Sequence, residues 1–238
     1  MIQTKETATL KKSKMYKRFF KRPMDFILSL LAIIILSPFL IITAILVRIK
    51  LGSPVIFKQQ RPGLNEKIFT IYKFRTMTDK KDSEGNLLPD GERLAPFGRF
   101  LRKTSIDELP ELWNILIGEM SIVGPRPLLI KDMVFMTKDQ RRRHTVRQGL
   151  TGWAQVNGRN SITWEDKLNL DLEYVNNITF LNDIKIILLT VVNVFNASGI
   201  NTEGMDTAED LGDYLLKRNI ITKDQYLKKI DVAESLML

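Results

Sequence analysis

The chain has 238 residues, 44% hydrophobic and 26% charged, which leaves room for a membrane anchor and one soluble domain of about 150 residues but not for two large domains. Its formal charge of +9, from 36 basic and 27 acidic residues, suits anionic lipid, phosphorylated substrates or nucleic acid without choosing among them. The absence of cysteine excludes a disulfide framework and a thiolate metal site.

The first informative stretch is basic: Lys11 to Arg22 holds seven lysines and arginines and no acid. Phe26 to Val47 follows, 22 residues without a charge, 16 of them Leu, Ile, Phe or Val. At roughly 0.5 kcal/mol each, their insertion is worth about 8 kcal/mol, enough to anchor the chain in a bilayer. As a straight helix the run would measure about 33 Å and could span the hydrocarbon core. Its flanks argue otherwise, because Arg48, Lys50, Lys58, Arg61, Lys67, Lys73 and Arg75 downstream face only Glu66, and positive charge marks the cytoplasmic side of both ends. Ser37-Pro38 near the middle offers a bend, with arms of about 18 and 14 Å that each reach only halfway across. We therefore expect a re-entrant helical hairpin. A spanning helix is the alternative, and a cleaved signal peptide is a third reading that lacks a small-residue cleavage site.

Beyond the anchor, 54–59 and 67–74 read as two strands around the turn Arg61-Pro62-Gly63-Leu64-Asn65, and 79–92 as a polar loop. Helical patterns follow at 106–117, 138–143, 164–176 and 184–195, the last apolar enough for either the core or the membrane interface. Two capped patterns close the chain, 207–218 and 222–236, the second opening with the capping box Thr222-Lys223-Asp224-Gln225. The expected fold class is mainly α with a small β-hairpin (α+β).

Chemistry is suggested first by Ser105-Ile106-Asp107-Glu108, two adjacent carboxylates behind Arg99, Arg102 and Lys103. An S-x-x-E capping box would explain both acids structurally, although Pro110 should bend the segment. Gly124-Pro125-Arg126-Pro127 holds one arginine on a stiff turn, suited to a phosphate or equally to a solvated surface. Gly149 to Asn160 concentrates glycines, amides, Trp153 and Arg159, which could approach a phosphate or form plain turns. His144 follows Arg141-Arg142-Arg143 and reads as part of a solvated basic face, without a role in proton transfer.

Lys21-Arg22-Pro23-Met24-Asp25, Ser37-Pro38, Tyr72-Lys73-Phe74-Arg75-Thr76-Met77, Asp107-Glu108-Leu109-Pro110, Gly124-Pro125-Arg126-Pro127 and the Thr151 to Asn160 run stand in the order found in bacterial sugar transferases. The chain resembles the monotopic phosphoglycosyl transferases of that family over about residues 17 to 205. It looks most like small members such as the phospho-diacetylbacillosamine transferase. The resemblance implies transfer of a sugar phosphate from a UDP-sugar to polyprenyl (undecaprenyl) phosphate, releasing UMP, as the first membrane step of glycoconjugate assembly.

It further implies that Asp107 is the nucleophile, forming an aspartyl-phosphosugar intermediate, and that Glu108 holds Mg²⁺. Arg102, Arg126 and Arg159 would then meet phosphate, with Asp171 and Asp183 orienting them or the metal. Taken alone, Asp183 reads as a helix N-cap and Asp171 as a solvated helix acid. Lys21, Arg22, Asp25, Ser37 and Pro38 belong to the membrane hairpin. The implied organisation is a basic segment 1–20, a re-entrant hairpin 21–50, a catalytic domain 51–205 on the cytoplasmic face of the bacterial inner membrane, and a helical tail 206–238 without evident chemistry. Expected partners are the UDP-sugar, polyprenyl phosphate and membrane phospholipid, with no nucleic acid; a homodimer is compatible with the sequence. The rival readings are a membrane-anchored, non-enzymatic binder of lipid or nucleic acid, and direct attack by polyprenyl phosphate with Asp107 as a metal ligand only. The sugar and the pathway stay open.

Overall fold

The computed structural model describes residues 15–158, 162–195 and 209–237. Most of residues 1–14, 159–161 and 196–208 enter the expectations above, among them Arg159 and the basic Lys11 to Lys14, and these lie outside the described residues.

A π-helical turn, Tyr16–Phe20, leads into helix α1, Lys21–Leu51, whose 31 residues extend about 46 Å. The chain stays helical across Ser37-Pro38, with Pro38 inside the helix. The reason is local. Pro38 has no N–H for the Ile34 carbonyl, and Ser37 Oγ donates to that carbonyl at 2.8 Å in its place.

One stripe of α1 is packed. Ala32, Ile33 and Leu36 meet Phe69, Ile71, Leu112 and Ile115, while Leu40, Ala44, Val47 and Leu51 meet Phe74 and Leu101. The other face carries Ile34, Ile35, Ile41, Ile42, Ile45 and Ile49, all exposed, a stripe at helical spacing that water would not favour. Both ends are pinned to the same body. At the N-terminal end Lys21 pairs with Asp183 at 2.6 Å, Arg22 donates to the carbonyls of Ile115 and Leu116, and Asp25 accepts from Ser121 Oγ and the Ile122 amide.

Strands β1, Ile56–Pro62, and β2, Ile68–Phe74, form the expected antiparallel hairpin, in register from Ile56 with Phe74 to Pro62 with Ile68. Asn65 turns the chain at φ 52°, a left-handed conformation that asparagine tolerates. Helix α2, Pro96–Lys103, has proline at its start and was not expected from the sequence. The expected helix 106–117 is divided: Ile106–Glu108 is a 3₁₀ turn, and Pro110 caps a separate helix α3, Glu111–Ile117. A second, parallel pair joins β3, Met120–Val123, to β4, Gln148–Thr151, adding to the small hairpin that the sequence announced.

Helix α4, Trp164–Asn176, has the bounds read from the sequence, with Thr163 capping the Asp166 amide. Helix α5, Phe180–Phe195, buries one face in the core and exposes the other: Asp183 and Ile186 are fully buried, while Leu181, Leu188, Val191 and Val192 are exposed. Two further helices, α6, Leu211–Lys217, and α7, Lys223–Ser235, form the tail, and the Thr222/Gln225 capping box is present as expected.

The segment 138–143 is a 3₁₀ helix over Gln140–Thr145, but its chemistry differs from expectation. Arg143 and His144 are buried, at 0% and 1% exposure, and not part of a solvated face. Burial, reinforced by the adjacent Arg143 charge, pushes His144 down to about 3, so it is neutral.

Candidate active site

The site is assembled from β2, the 3₁₀ turn, the start of α3 and the Gly-Pro-Arg-Pro turn. Lys73 on β2 lies between two carboxylates, with Nζ 2.7 Å from Glu108 Oε1 and 3.1 Å from Glu111 Oε1. Arg126 Nη2 reaches the same Glu108 oxygen at 2.7 Å. Asp107, the neighbour of Glu108, is 8% exposed and accepts no hydrogen bond among the described residues.

The capping-box explanation of this acidic pair is overturned. Ser105 sits in the left-handed region at φ 56° and makes no side-chain cap, while the Glu108 carboxylate is committed to Lys73 and Arg126. A cap would have pointed Glu108 back to its own helix; two cations at ion-pair distance outweigh that contact.

Arg126 is held from behind. The Gly124 amide donates to Thr151 O at 2.9 Å and the Gly149 amide to Pro125 O at 2.8 Å, which clasps the turn against β4. The approach is so close that a Cβ on Gly149 would lie 2.1 Å from the Gly124 nitrogen, and one on Gly152 would lie 2.1 Å from the Gly124 carbonyl oxygen. Gly149 and Gly152 thus serve the arginine turn. A third support is Arg143, whose Nη2 donates to the Arg126 carbonyl at 2.5 Å while its Nε donates to Asp171 at 2.9 Å. Asp171 is 1% exposed, so it is a buried partner and not a solvated helix acid.

Arg102 is positioned by the same kind of approach. A Cβ on Gly98 would stand 1.8 Å from Thr76 O, and Arg102 Nε, one turn further along α2, donates to Thr76 Oγ1 at 3.1 Å. Asp183 belongs elsewhere: its carboxylate binds Tyr16, Lys21 and Tyr174, pinning the start of α1. Nor is it an N-cap, because Thr179 accepts the Asn182 amide at the start of α5.

Charge and burial separate the three acids. Burial, then the adjacent Glu108 charge, pushes Asp107 up to about 6, against Lys73, Arg102 and Arg126. Burial would raise Glu108 too, but Arg126 and Lys73 together hold it well below the usual carboxylate range. Burial carries Glu111 to about 7, with Lys73 opposing and Glu108 adding. The result is one permanently ionised carboxylate beside one that ionises just below neutrality, a division suited to two roles.

Lys73, Arg61 and Arg143 entered the sequence reading only as flanking, turn, motif or basic-run residues and not as parts of a site, and Glu111 was missed. Glu108 and Glu111 are three residues apart, a spacing that could have suggested a shared face. Arg61, on β1, is lowered to about 10 by burial and then by the charge of Arg126, so it adds positive potential near the turn. Among the described residues no group of three or more His, Cys, Asp or Glu side chains is arranged to hold a metal ion. A magnesium ion that takes one or two protein carboxylates and completes its shell with phosphate and water still fits, since both cations use Glu108 Oε1 and Oε2 accepts no hydrogen bond among the described residues.

The bacterial sugar transferase family matches residues 16–197. The chain is 53% identical over 189 residues to "Uncharacterized sugar transferase EpsL" of Bacillus subtilis, covering 79% of this chain and 94% of that one. It is 38% identical over 190 residues to the UDP-glucose:undecaprenyl-phosphate glucose-1-phosphate transferase of Escherichia coli, covering 75% and 40%. It is 35% identical over 192 residues to the UDP-N-acetylgalactosamine-undecaprenyl-phosphate N-acetylgalactosaminephosphotransferase of Aeromonas hydrophila, covering 76% and 45%. The chain thus spans less than half the length of the last two. With a matched region that takes in α1, the acidic pair and the arginine turn, this chain belongs to the bacterial sugar transferase family.

Proposed function

We propose that the chain transfers a sugar-1-phosphate from a UDP-sugar to polyprenyl phosphate, releasing UMP, through a covalent intermediate on Asp107. The observation that carries this reading is the Asp107 carboxylate itself: buried, free of hydrogen bonds among the described residues, raised to about 6, and flanked by Lys73, Arg102 and Arg126. A carboxylate pinned by several donors would be a poor nucleophile, whereas this one ionises just below neutrality, with Lys73, Arg102 and Arg126 favouring its charged form. The names of the relatives in Escherichia coli and Aeromonas hydrophila support the substrate class.

In the first displacement a carboxylate oxygen of Asp107 attacks the phosphorus that bears the sugar, and the bridging P–O bond breaks, so UMP departs with the bridging oxygen and its electron pair. In the second, a phosphate oxygen of the polyprenyl carrier attacks the same phosphorus, and the acyl-phosphate bond breaks to restore the carboxylate. Arg126 and Arg102 face the anionic oxygens, and Lys73 keeps Glu108 ionised and aimed. Glu108, through its open Oε2, would hold Mg²⁺, which when bound supplies positive charge to offset that of the diphosphate.

The membrane reading is re-entrant and monotopic, on the cytoplasmic face of the inner membrane. It is supported by an apolar α1 with both ends pinned to one body, and by exposed apolar residues on α3 (Trp113, Ile117) and α5 (Leu181, Leu188) that extend the same kind of surface. Tags at the two termini should both be shielded from reagent outside intact cells; labelling of the first alone would establish a spanning helix. For the reaction, UMP should be released when UDP-glucose, UDP-N-acetylgalactosamine and related donors are screened with undecaprenyl phosphate, and Asp107→Asn should abolish it while membrane association persists. Undiminished release by that variant would remove Asp107 from the mechanism.

A further inference from the structure

The family match ends at residue 197, yet the tail packs into the body. Leu211, Tyr214 and Ala233 are buried in one cluster with Leu128, Phe135, Met136, Trp164 and Leu168. Among the described residues, the tail's hydrogen bonds and ion pair to the body fall on two segments. The first directly follows the arginine turn: Asp132, 3% exposed, accepts the Leu129 amide through Oδ2 at 3.1 Å and the Leu211 amide through Oδ1 at 2.9 Å. One carboxylate therefore serves the starts of two helical segments at once, that of the Ile130–Met133 turn and that of α6. Lys131 pairs with Asp210, and Lys229 Nζ donates to the Val134 carbonyl at 2.5 Å. Gly212 lies flat on Phe135, where a Cβ would be 2.6 Å from the ring.

The second segment is α4. Tyr214 donates to Glu165 at 2.6 Å, and Trp164 Nε1 donates to the Glu209 carbonyl at 3.1 Å. Helix α4 also carries Asp171, which holds Arg143, which in turn holds the Arg126 carbonyl. Thus the tail bridges the two structures that bear on Arg126 from opposite directions: the chain just after it, and the helix that grips its backbone through Arg143.

We infer that the tail is a positioning clamp for the phosphate-binding turn, setting the affinity for the diphosphate of the donor through Arg126. This rests on the reading that Arg126 binds that diphosphate. Residues 211–214 make no hydrogen bond to Asp107 or Glu108 among the described residues, whereas their partners Asp132 and Glu165 lie on the two segments that lead to the turn.

The test is a double-mutant cycle on the full chain, read by UDP binding in calorimetry and by thermal unfolding. Gly212→Val, which drives the tail off Phe135, should weaken UDP binding about tenfold, less than the roughly hundredfold loss of rate that a misplacement of about 1 Å can cause. The gentler Tyr214→Phe should weaken it about twofold with its unfolding temperature within a degree or two of the parent's. Arg126→Ala alone should weaken binding strongly, and adding Gly212→Val to it should cost nothing further, because the clamp has lost the residue it acts on. Losses that multiply in the double variant, or UDP binding unchanged in both tail variants, would overturn the clamp while leaving the function intact. UDP binding indifferent to Arg126→Ala, or absent from the unaltered chain, would instead sink the reading on which the clamp rests.

Discussion

Replacing Asp107 by asparagine should make the protein more stable while it removes the chemistry. The group is raised from 3.8 to about 6 in the folded chain, chiefly by burial, and is 8% exposed, so screening by solvent is small. Below pH 3.8 neither folded nor unfolded chain is ionised there and no cost arises. Between 3.8 and 6 the unfolded chain releases a proton that the folded chain retains, so stability falls as pH rises; above 6 the cost is complete. At 1.36 kcal/mol per pH unit, a difference of about 2.2 is worth about 3 kcal/mol at pH 7. Asparagine is neutral, nearly isosteric, and forfeits no hydrogen bond that Asp107 makes among the described residues. For a chain of this size the gain should raise the unfolding temperature by roughly 6–12 °C. Scanning calorimetry in detergent at pH 7 and pH 5 would measure it, with the gain at pH 5 about half that at pH 7. No gain at neutral pH, or one that grows on acidification, would refute the argument that charge burial at Asp107 is held against stability.

The same ionisation should appear in catalysis. With the lipid acceptor withheld, the burst of UMP should halve near pH 6 and fall about tenfold from its plateau by pH 5, because the nucleophile must be deprotonated; a burst flat from pH 8 to 5 would contradict this. That limb should survive in Glu111→Gln, although Glu111 ionises nearby at about 7. Gly149→Ala forces a Cβ to 2.1 Å from the Gly124 nitrogen, so the chain should lose about 2 kcal/mol or more, with Arg126 displaced, as read by denaturant unfolding and by UDP affinity. Arg143 and Asp171 form an ion pair at 2.8 Å with side chains 0% and 2% exposed, and Arg143→Met should cost about 3–5 kcal/mol by leaving a buried charge alone. Much of that loss should return when Asp171→Leu is added.

What the sequence disclosed was local or periodic. The apolar run, the hairpin around Asn65, the bounds of α4 and the Thr222/Gln225 capping box follow from spacing and turn chemistry, and each is present. Glu108 and Arg126, which the order of motifs had placed in one family pattern, meet at 2.7 Å. The failures lie where distant residues decide. Four-residue strands such as β3 and β4 carry little pattern of their own and pair across 28 positions, Met120 with Gln148. A run of three arginines and a histidine looks solvated until Asp171, 28 residues beyond Arg143, makes burial tolerable for one of them. At Ser37-Pro38 the missing N–H is visible in sequence, whereas the serine rotamer that satisfies the Ile34 carbonyl is not. Gly149 and Gly152 left a ligand loop or plain turns open, and the backbone they admit is that of the Gly124 turn.

The most direct measurement is intact-protein mass spectrometry after brief exposure to a UDP-sugar with no polyprenyl phosphate present. The chain should gain the mass of one sugar phosphate, mapped to the peptide bearing Asp107, absent from Asp107→Asn, and discharged when the lipid acceptor is added. Full turnover with acceptor, but no such adduct at any time without it, would mean that the polyprenyl phosphate attacks directly and that Asp107 is not a nucleophile.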